Sequence, residues 1–332
     1  MPKTFSTECQ TGSNRPAAGD ITPETHHNYV AFFLTLRCNL KCSYCINLHA
    51  NETRGRLGQR KMLTAQEWIK AADRLNLRKD LPLTLQGGEP TLHKGFYRIV
   101  NDVRPDIKMD LMTNMMFDPR DFIRRVPVWR FDRQAPYAPI RVSYHPGQNH
   151  IGDLIEKTNI LQTAGFRVGL YGILHPDPSM TAHIRKVQAQ CLNQGIDFRV
   201  KEFLGRYDNK LYGTFKYQDS VMGPVRRHCD CRTTEILVDP SGEIFRCHAD
   251  LYHGRQPIAH IFDPVFNQDS IEAFRPCRHF GQCNPCDVKV KTNRHQVYGH
   301  TSVEIRNIRS APHFGLQLPP NDQCQGHLHG QL

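Results

Sequence analysis

The sequence lacks any apolar run near the roughly 18 residues needed to cross a bilayer. Residues 1–28 are polar and hold no hydrophobic segment of the kind that a signal peptide carries. No segment recurs at a fixed period, which argues against a repeat architecture. We therefore expect a globular protein that stays in the cytosol, without a membrane anchor or membrane partner.

Blocks of like charge are also absent, although the formal net charge is +11. A basic protein can attract an acidic peptide or nucleic acid. Here the Lys and Arg residues are scattered through the chain, which is typical of a solvated basic surface. We therefore do not expect nucleic-acid binding, and a non-catalytic metal protein that binds nucleic acid is kept only as an alternative from another class.

Cysteine, by contrast, is abundant, with 12 residues in the chain. Without a secretion signal these thiols face a reducing environment that disfavours structural disulfides. They also cluster, in residues 38–45 and again in residues 229–286. The distribution therefore indicates metal or redox use.

The first group, Cys38, Cys42 and Cys45, has the spacing C-x3-C-x2-C and follows the apolar run Val30–Leu34. Three thiolates can bind three corners of a [4Fe-4S] cube and leave the fourth iron open to other ligands. A structural zinc site usually needs four ligands, with cysteines paired two residues apart. An iron-sulfur cluster is therefore favoured, and buried or zinc-binding cysteines are the alternative.

This spacing, with aromatic Tyr44 before the last cysteine, resembles the signature of the radical S-adenosylmethionine (SAM) superfamily. The resemblance implies that SAM chelates the open iron and that the reduced cluster splits SAM into methionine and a 5'-deoxyadenosyl radical. It places Tyr44 beside the adenine. It also implies a reducing partner such as flavodoxin or ferredoxin.

The turn Gly87-Gly88-Glu89 after the second predicted strand resembles the GGE-type motif of the same superfamily. Two glycines let a backbone approach a ligand without a Cβ. The resemblance implies that Gly87, Gly88 and Glu89 hold the methionine amino group of SAM. Without the cysteine loop, an ordinary strand-to-helix turn would be the better interpretation.

Polar residues at later strand ends are further candidates for binding SAM. Ser143, and in a similar place Thr113 and Asn114, could contact the ribose, although strand-end caps are an equal alternative. Lys201 and Glu202 form a charged pair in an apolar strand. An inward-facing charge needs a partner such as the SAM carboxylate, and an ion pair at the rim is the alternative.

Strand and helix patterns alternate from residue 29 onward. Strands are predicted at Tyr29–Leu36, Leu81–Leu85, Ile107–Met112, Ile140–Ser143, Phe166–Leu174 and Phe198–Phe203. Regular strand-helix steps predict a parallel sheet with right-handed crossovers. We expect an α/β protein with a partial (β/α)6 TIM-like barrel and a small C-terminal cysteine-rich α+β module.

The second cysteine group resembles the Twitch and SPASM modules that hold auxiliary [4Fe-4S] clusters in radical SAM enzymes. The resemblance rests on the spacing of glycine and cysteine: Gly242 lies between the first two cysteines of this group and Cys247. It implies that four of five residues bind a second cluster: Cys229, Cys231, Cys247, Cys283 and Cys286. A thiol left over among Cys229, Cys231 and Cys277 could donate a hydrogen atom to a substrate radical. A zinc ribbon is the alternative.

These expectations divide the chain into four parts. They are a polar tail at 1–28, the partial barrel at 29–210, the auxiliary module at 211–292 and a partly disordered extension at 293–332.

The first functional hypothesis is modification of a ribosomally synthesised peptide by oxidation, cross-linking or epimerisation. The runner-up is a radical dehydrogenase of a small metabolite such as an aminocyclitol or sugar.

Overall fold

A computed structural model of the chain describes residues 20–24, 26–45, 61–203, 205–212, 229–277 and 303–307. Strands and helices alternate through the first part of this chain, as the sequence predicts. The fold is α/β with a mostly parallel central sheet, which confirms the predicted class at that level.

The elements have the following bounds. The strands are β1 (Tyr29–Thr35), β2 (Leu83–Gly87), β3 (Met109–Thr113), β4 (Ile140–Ser143), β5 (Val168–Leu174), β6 (Phe198–Glu202), β7 (Gly205–Tyr207), β8 (Lys210–Tyr212), β9 (Cys229–Thr233), β10 (Glu235–Val238), β11 (Glu243–Phe245), β12 (Ala259–His260), β13 (Arg275–Cys277) and β14 (Val303–Asn307). The α-helices are α1 (Ala65–Asp73), α2 (Phe96–Asp102), α3 (Pro119–Arg125), α4 (Ile151–Thr163), α5 (Pro178–Asn193), α6 (His248–Tyr252) and α7 (Asp269–Glu272). Short 3-10 helices lie at Pro90–Leu92 and Val128–Phe131.

The central sheet contains nine strands within the described ranges, in the order β12-β11-β10-β1-β2-β3-β4-β5-β6. Each strand from β1 to β6 pairs in parallel with the next. Parallel strands end at a common edge of the sheet, where α/β proteins place their chemistry. The six predicted strands are thus confirmed in order, and the partial barrel itself stays a prediction.

Strand β1 is apolar from Val30 to Leu34 because both of its faces are covered. Phe32 packs toward the helices, with its ring centroid 4.7 Å from that of Trp68 in α1. Phe33 faces the other way and meets Tyr252 of α6, with the centroids 5.9 Å apart. A strand buried on both faces loses the alternation of polar and apolar residues that an exposed strand shows.

Helix α1 begins with a capping box. Thr64 is the N-cap, and its side chain accepts a hydrogen bond from the backbone N–H of Glu67, while Glu67 accepts in return from the Thr64 N–H. The sequence Thr-x-x-Glu before an apolar run is typical of such a helix start. It fixes the start of the helix whose buried face, including Trp68, covers β1.

A hairpin around Gly242 extends the central sheet. β10 and β11 pair in antiparallel fashion, and β10 lies parallel to β1. A separate three-stranded sheet, ordered β13-β9-β14, carries Cys229, Cys231 and Cys277. Part of the predicted C-terminal module is therefore continuous with the main sheet through strand pairing.

Two short segments at the ends of the chain have contacts that the sequence did not predict. Ile21, within the predicted polar tail, is buried and bridges to Leu75 after α1. β14 lies within the predicted extension and pairs with β9. Among the described residues, every helix is too short or too polar to span a membrane.

Candidate metal centre

The loop with Cys38, Cys42 and Cys45 leaves the carboxyl end of β1, at the edge where β1 to β6 end. Cys42 is buried, Cys45 is half-buried and Cys38 is exposed. Burial, and then the nearby thiols of Cys45 and Cys38, raise the pKa of Cys42 to about 12. The three thiols therefore lie close enough to influence one another. Such a set fits a cluster, because iron replaces the protons that burial would otherwise retain.

Gly87 and Gly88 pack against the backbone of this loop. A Cβ on Gly87 would lie 2.1 Å from the Thr35 carbonyl oxygen, and one on Gly88 would lie 2.2 Å from that of Arg37. The Gly88 N–H donates to the Thr35 carbonyl and the Glu89 N–H to the Arg37 carbonyl, both at 2.8 Å. The two glycines therefore allow β2 to support the cysteine loop directly.

Glu89 joins the ends of β2 and β3. Its carboxylate accepts hydrogen bonds from the Thr91 hydroxyl at 2.6 Å, the Thr113 hydroxyl at 2.8 Å and the Asn114 N–H at 2.7 Å. The side chain is 1% exposed, and burial raises its pKa against the effect of these hydrogen bonds. Both carboxylate oxygens thus bind protein groups. The predicted role of Glu89 toward SAM stays a prediction.

Asn114 connects this carboxylate to the cysteine loop. Its side-chain Nδ2 donates to Asn39 Oδ1 at 2.6 Å and reaches Cys38 Sγ at 3.7 Å. The Leu40 N–H also donates to Cys38 Sγ, at 3.4 Å. Hydrogen bonds to a ligand sulfur orient it and tune the cluster that it binds. The predicted strand-end residue Asn114 therefore contacts the candidate ligand itself.

Tyr44 lies within an aromatic wall beside the thiols. Its hydroxyl shares a hydrogen bond of 3.2 Å with His145 Nδ1, and its ring lies 6.0 Å from His175 and 6.4 Å from Phe203. Burial, followed by the thiols of Cys42 and Cys45, raises the pKa of Tyr44. Burial lowers the pKa of His145 to about 4. At neutral pH the pair is therefore uncharged.

The other predicted SAM contacts lie at separate strand ends. Ser143 ends β4, and its carbonyl accepts from Asn149 Nδ2 at 3.0 Å. Lys201 places its Nζ 5.3 Å from the ring centroid of Tyr171 on the neighbouring strand. Glu202 follows in β6, and its side chain lies outside the described part of the chain. The roles of Ser143, Lys201 and Glu202 stay predictions.

Residues 32–127 match the family model of the radical SAM superfamily. This radical SAM segment contains the cysteine loop, the Gly87-Gly88-Glu89 turn and Asn114. Molybdenum cofactor biosynthesis protein 1 of Drosophila melanogaster is 32% identical over 79 residues. That match covers 24% of this chain and 14% of the relative, so the activity of the whole relative does not transfer to this chain.

Solved structures similar to this chain include native anSMEcpe with bound AdoMet, at a TM-score of 0.49 and 13% identity, covering 73% of this chain and 80% of that one. Native anSMEcpe with bound AdoMet and the Cp18Cys peptide matches at a TM-score of 0.47 and 11% identity. That comparison covers 82% of this chain and 92% of the other.

Beyond the radical SAM segment, three cysteines of the second group surround Arg246. Burial disfavours the charged form of this guanidinium. The pKa of Arg246 is nevertheless raised, first by Asp250 and then by the thiols of Cys277, Cys247 and Cys231. All three thiols are buried. The three thiols therefore share Arg246 as a charged neighbour, and Cys277 stays among the cysteines that could be ligands.

The remaining cysteines of this group are placed only in part. Cys229 pairs with Cys277 between β9 and β13, and nothing is described of the Cys229 side chain. Cys283 and Cys286 lie outside the described residues. The second cluster and its ligand set therefore stay predictions.

Several residues of the centre were not predicted from the sequence. Gln148 anchors the loop by accepting from the Lys41 N–H at 2.9 Å, and His175 and Phe203 belong to the aromatic wall. Each follows a strand end in the chain. Position after a parallel strand is the signal that could have indicated them.

Replacing Asn114 by Ala should weaken the candidate centre without unfolding the chain. The change removes the donors to Asn39 and Cys38 and keeps the backbone hydrogen bond to Glu89. Loss of an outer partner of a metal ligand typically costs about 10- to 100-fold in metal affinity. We expect faster loss of iron to a chelator than in the wild type, measured from the visible absorbance under anoxic conditions. Equal rates in both proteins would contradict a role for Asn114.

Proposed function

We propose that this chain is a radical SAM enzyme in which Cys38, Cys42 and Cys45 hold a [4Fe-4S] cluster within a partial barrel of residues 29–210. The observation that carries the proposal is the packing of the Gly87-Gly88 turn against the cysteine loop inside the radical SAM segment. Such a cluster, when bound, supplies an electron that cleaves SAM to a 5'-deoxyadenosyl radical, which abstracts a hydrogen atom from substrate.

The chain's own residues would hold and orient the reactants. Asn114 positions the Cys38 thiolate, and His145 fixes the ring of Tyr44, which we place beside the adenine. The aromatic wall around Tyr44 excludes water from that side, which protects reactive species from side reactions. Because the Glu89 carboxylate is already hydrogen bonded, we assign the SAM ammonium group to backbone carbonyls of Gly87 and Gly88.

Three further residues complete the proposed SAM site. Ser143 is assigned to the ribose hydroxyls because it ends β4, which only β3 separates from β2 in the sheet. Lys201 and Glu202 are assigned to the remaining charged groups of SAM. The cation of Lys201 suits a carboxylate, and it already lies over an aromatic ring on the same sheet.

We further propose a second [4Fe-4S] cluster in a Twitch- or SPASM-like module at residues 211–292. Its four ligands would come from Cys229, Cys231, Cys247, Cys283 and Cys286. The convergence of Cys231, Cys247 and Cys277 on Arg246 supports a metal site there, since a buried cation favours thiolates. A thiol among Cys229, Cys231 and Cys277 that is not a ligand could return a hydrogen atom to substrate.

The proposed substrate is a ribosomally synthesised peptide, modified by oxidation, cross-linking or epimerisation. The net charge of +11 supports an acidic peptide as the partner, because a basic surface attracts it over a distance. Flavodoxin or ferredoxin is the proposed reductant. A small metabolite such as an aminocyclitol or sugar is the competing substrate class.

The decisive experiment is anaerobic reconstitution of the full chain followed by incubation with SAM and dithionite. We expect 5'-deoxyadenosine by mass spectrometry and about eight iron atoms per chain, the number for two such clusters. About four iron atoms together with the product would reject the second cluster and keep the first. Absence of 5'-deoxyadenosine from fully loaded protein would reject the proposed function. Added acidic peptides and aminocyclitols, tested in D2O for mass change, separate the two substrate classes, because an epimerised residue then carries one carbon-bound deuterium and is no longer silent in the mass.

A further inference from the structure

Two imidazoles and a carboxylate meet at the start of β1, the end of the strand remote from the cysteine loop. His26 and His27 directly precede this strand, and Glu272 ends α7. His26 Nε2 lies 3.4 Å from Glu272 Oε2, and His27 Nδ1 lies 3.7 Å from Glu272 Oε1. One possible ligand atom from each residue lies within 4.8 Å of the other two. The proposed radical chemistry uses none of the three.

Burial leaves two polar atoms of this cluster unsatisfied. Glu272 Oε1 and His27 Nε2 are both buried and have no hydrogen-bond partner in the described part of the chain. The His27 side chain is 0% exposed. A buried carboxylate oxygen without a donor is costly, and a bound cation would remove that cost.

We propose that His26, His27 and Glu272 bind a divalent transition-metal ion of the zinc type. Imidazole nitrogen and carboxylate oxygen bind zinc at about 2.0–2.2 Å, so two such atoms on one tetrahedral ion lie about 3.3 Å apart. The observed separations of 3.4 and 3.7 Å are close to this value. Small side-chain movements would complete three protein ligands, with water in the open position.

The local backbone prepares this arrangement. Arg78 donates to the carbonyls of Glu24 at 2.6 Å and His27 at 2.8 Å, which fixes the turn that carries both histidines. The Asn28 N–H donates to the Thr234 carbonyl at 2.9 Å, which ties the same turn to the strand region beside α7. Because the turn is already fixed, metal binding would cost less conformational entropy than it would in a flexible segment.

Two interactions oppose the ion. The Glu24 N–H donates to His27 Nδ1 at 3.1 Å, and ligation through Nδ1 would replace this hydrogen bond. Burial, and then the charges of His26, Arg78 and Arg232, lower the pKa of His27 to about 3. The two guanidinium charges also repel a metal cation. We therefore expect weaker binding than at a four-ligand zinc site.

The ion would connect the residues before β1 to the end of α7. Glu272 comes shortly before β13, which carries Cys277, whereas the histidines begin the central strand β1. A cross-link between residues so far apart in sequence closes a long loop and stabilises the folded state. The inferred role is thus structural: it holds the cysteine-bearing sheet against the core.

Zinc stoichiometry of the tag-free, cluster-reconstituted full chain tests this inference. The protein is dialysed anaerobically against zinc chloride and then against metal-free buffer, and metals are counted by mass spectrometry. We expect the wild type to retain one more zinc ion per chain than Glu272→Gln. We also expect zinc to raise the melting temperature of the wild type and to leave that of Glu272→Gln unchanged.

His150→Ala is the matched control, because His150 and Asp153 form a similar pair at 3.5 Å that is exposed on α4. It should retain zinc as the wild type does. Equal zinc in the wild type and Glu272→Gln, or an equal loss in His150→Ala, would overturn the inference. If Glu272→Gln fails to fold, the wild type alone tests the inference. A wild-type melting temperature that zinc does not raise would then overturn the proposed site. SAM cleavage is not measured, so either result leaves the proposed function untouched.

Discussion

Cys42→Ala should remove the first cluster completely and abolish the formation of 5'-deoxyadenosine. Cys42 is the buried member of the three thiols, and its pKa of about 12 reflects burial and the two neighbouring cysteines. Without it, two thiols remain, too few to hold a cube that already lacks a fourth protein ligand. We expect the iron content to fall by about four atoms per chain, measured together with product after anaerobic reconstitution.

Cys191→Ala provides the control for loss of a buried thiol. Cys191 is also fully buried and free, but it lies on α5 in the hydrophobic core, away from the cysteine loop. Its replacement should leave iron content and product unchanged, at a modest loss of stability from the smaller side chain. If Cys42→Ala retained the iron and the product of the wild type, the assignment of the cluster to this loop would be wrong.

The sequence alone suffices to propose the candidate ligands, because their relation is local. Cys38, Cys42 and Cys45 lie in one loop, so their spacing alone determines that the thiols can approach one metal group. The strands are also predictable, since a strand buried on both faces forms a continuous apolar run, as Val30 to Leu34 of β1 do. The order of β1 to β6 then follows from right-handed crossovers between neighbouring parallel strands.

Contacts between distant residues are not predictable in this way. Asn114 meets Cys38 only because β3 ends near the cysteine loop, and no local pattern states which of its atoms face the thiol. The pairing of β10 with β1 joins segments separated by most of the chain. The cluster of His26, His27 and Glu272 likewise depends on the position of α7. Such contacts are determined by tertiary packing, which a single sequence does not specify.

The glycine turn illustrates the difference between finding a site and explaining it. The sequence singles out Gly87 and Gly88 and suggests that the missing Cβ atoms make room for a ligand. In the structure, the space of a Cβ on Gly87 is occupied by the backbone of Thr35 at the end of β1, and that of a Cβ on Gly88 by the backbone of Leu36 and Arg37, which lead into the cysteine loop. The requirement for glycine therefore comes first from the packing of β2 against β1, which positions the loop for any ligand it holds.

Gly88→Ala should accordingly be among the most damaging small substitutions in the protein. The new Cβ would lie 2.2 Å from the Arg37 carbonyl oxygen and 2.6 Å from that of Leu36. Reaching van der Waals contact requires the two segments to separate by about 1 Å. Backbone atoms cannot turn aside as a side chain would, so we expect a loss of about 3 kcal/mol in the free energy of unfolding, measured by urea denaturation of the cluster-free chain.

The same displacement should empty the first cluster site, because Arg37 directly precedes Cys38 and metal sites tolerate ligand shifts of only about 0.2 Å. Gly195→Ala is the comparison: Gly195 has a φ of +72° with no atom within 4 Å of its would-be Cβ. The free energy of unfolding of that variant should fall by about 1 kcal/mol, because alanine disfavours the left-handed backbone conformation. Its iron content should stay unchanged. If Gly88→Ala bound iron as well as Gly195→Ala does, β2 would not be the support that holds the cysteine loop in place.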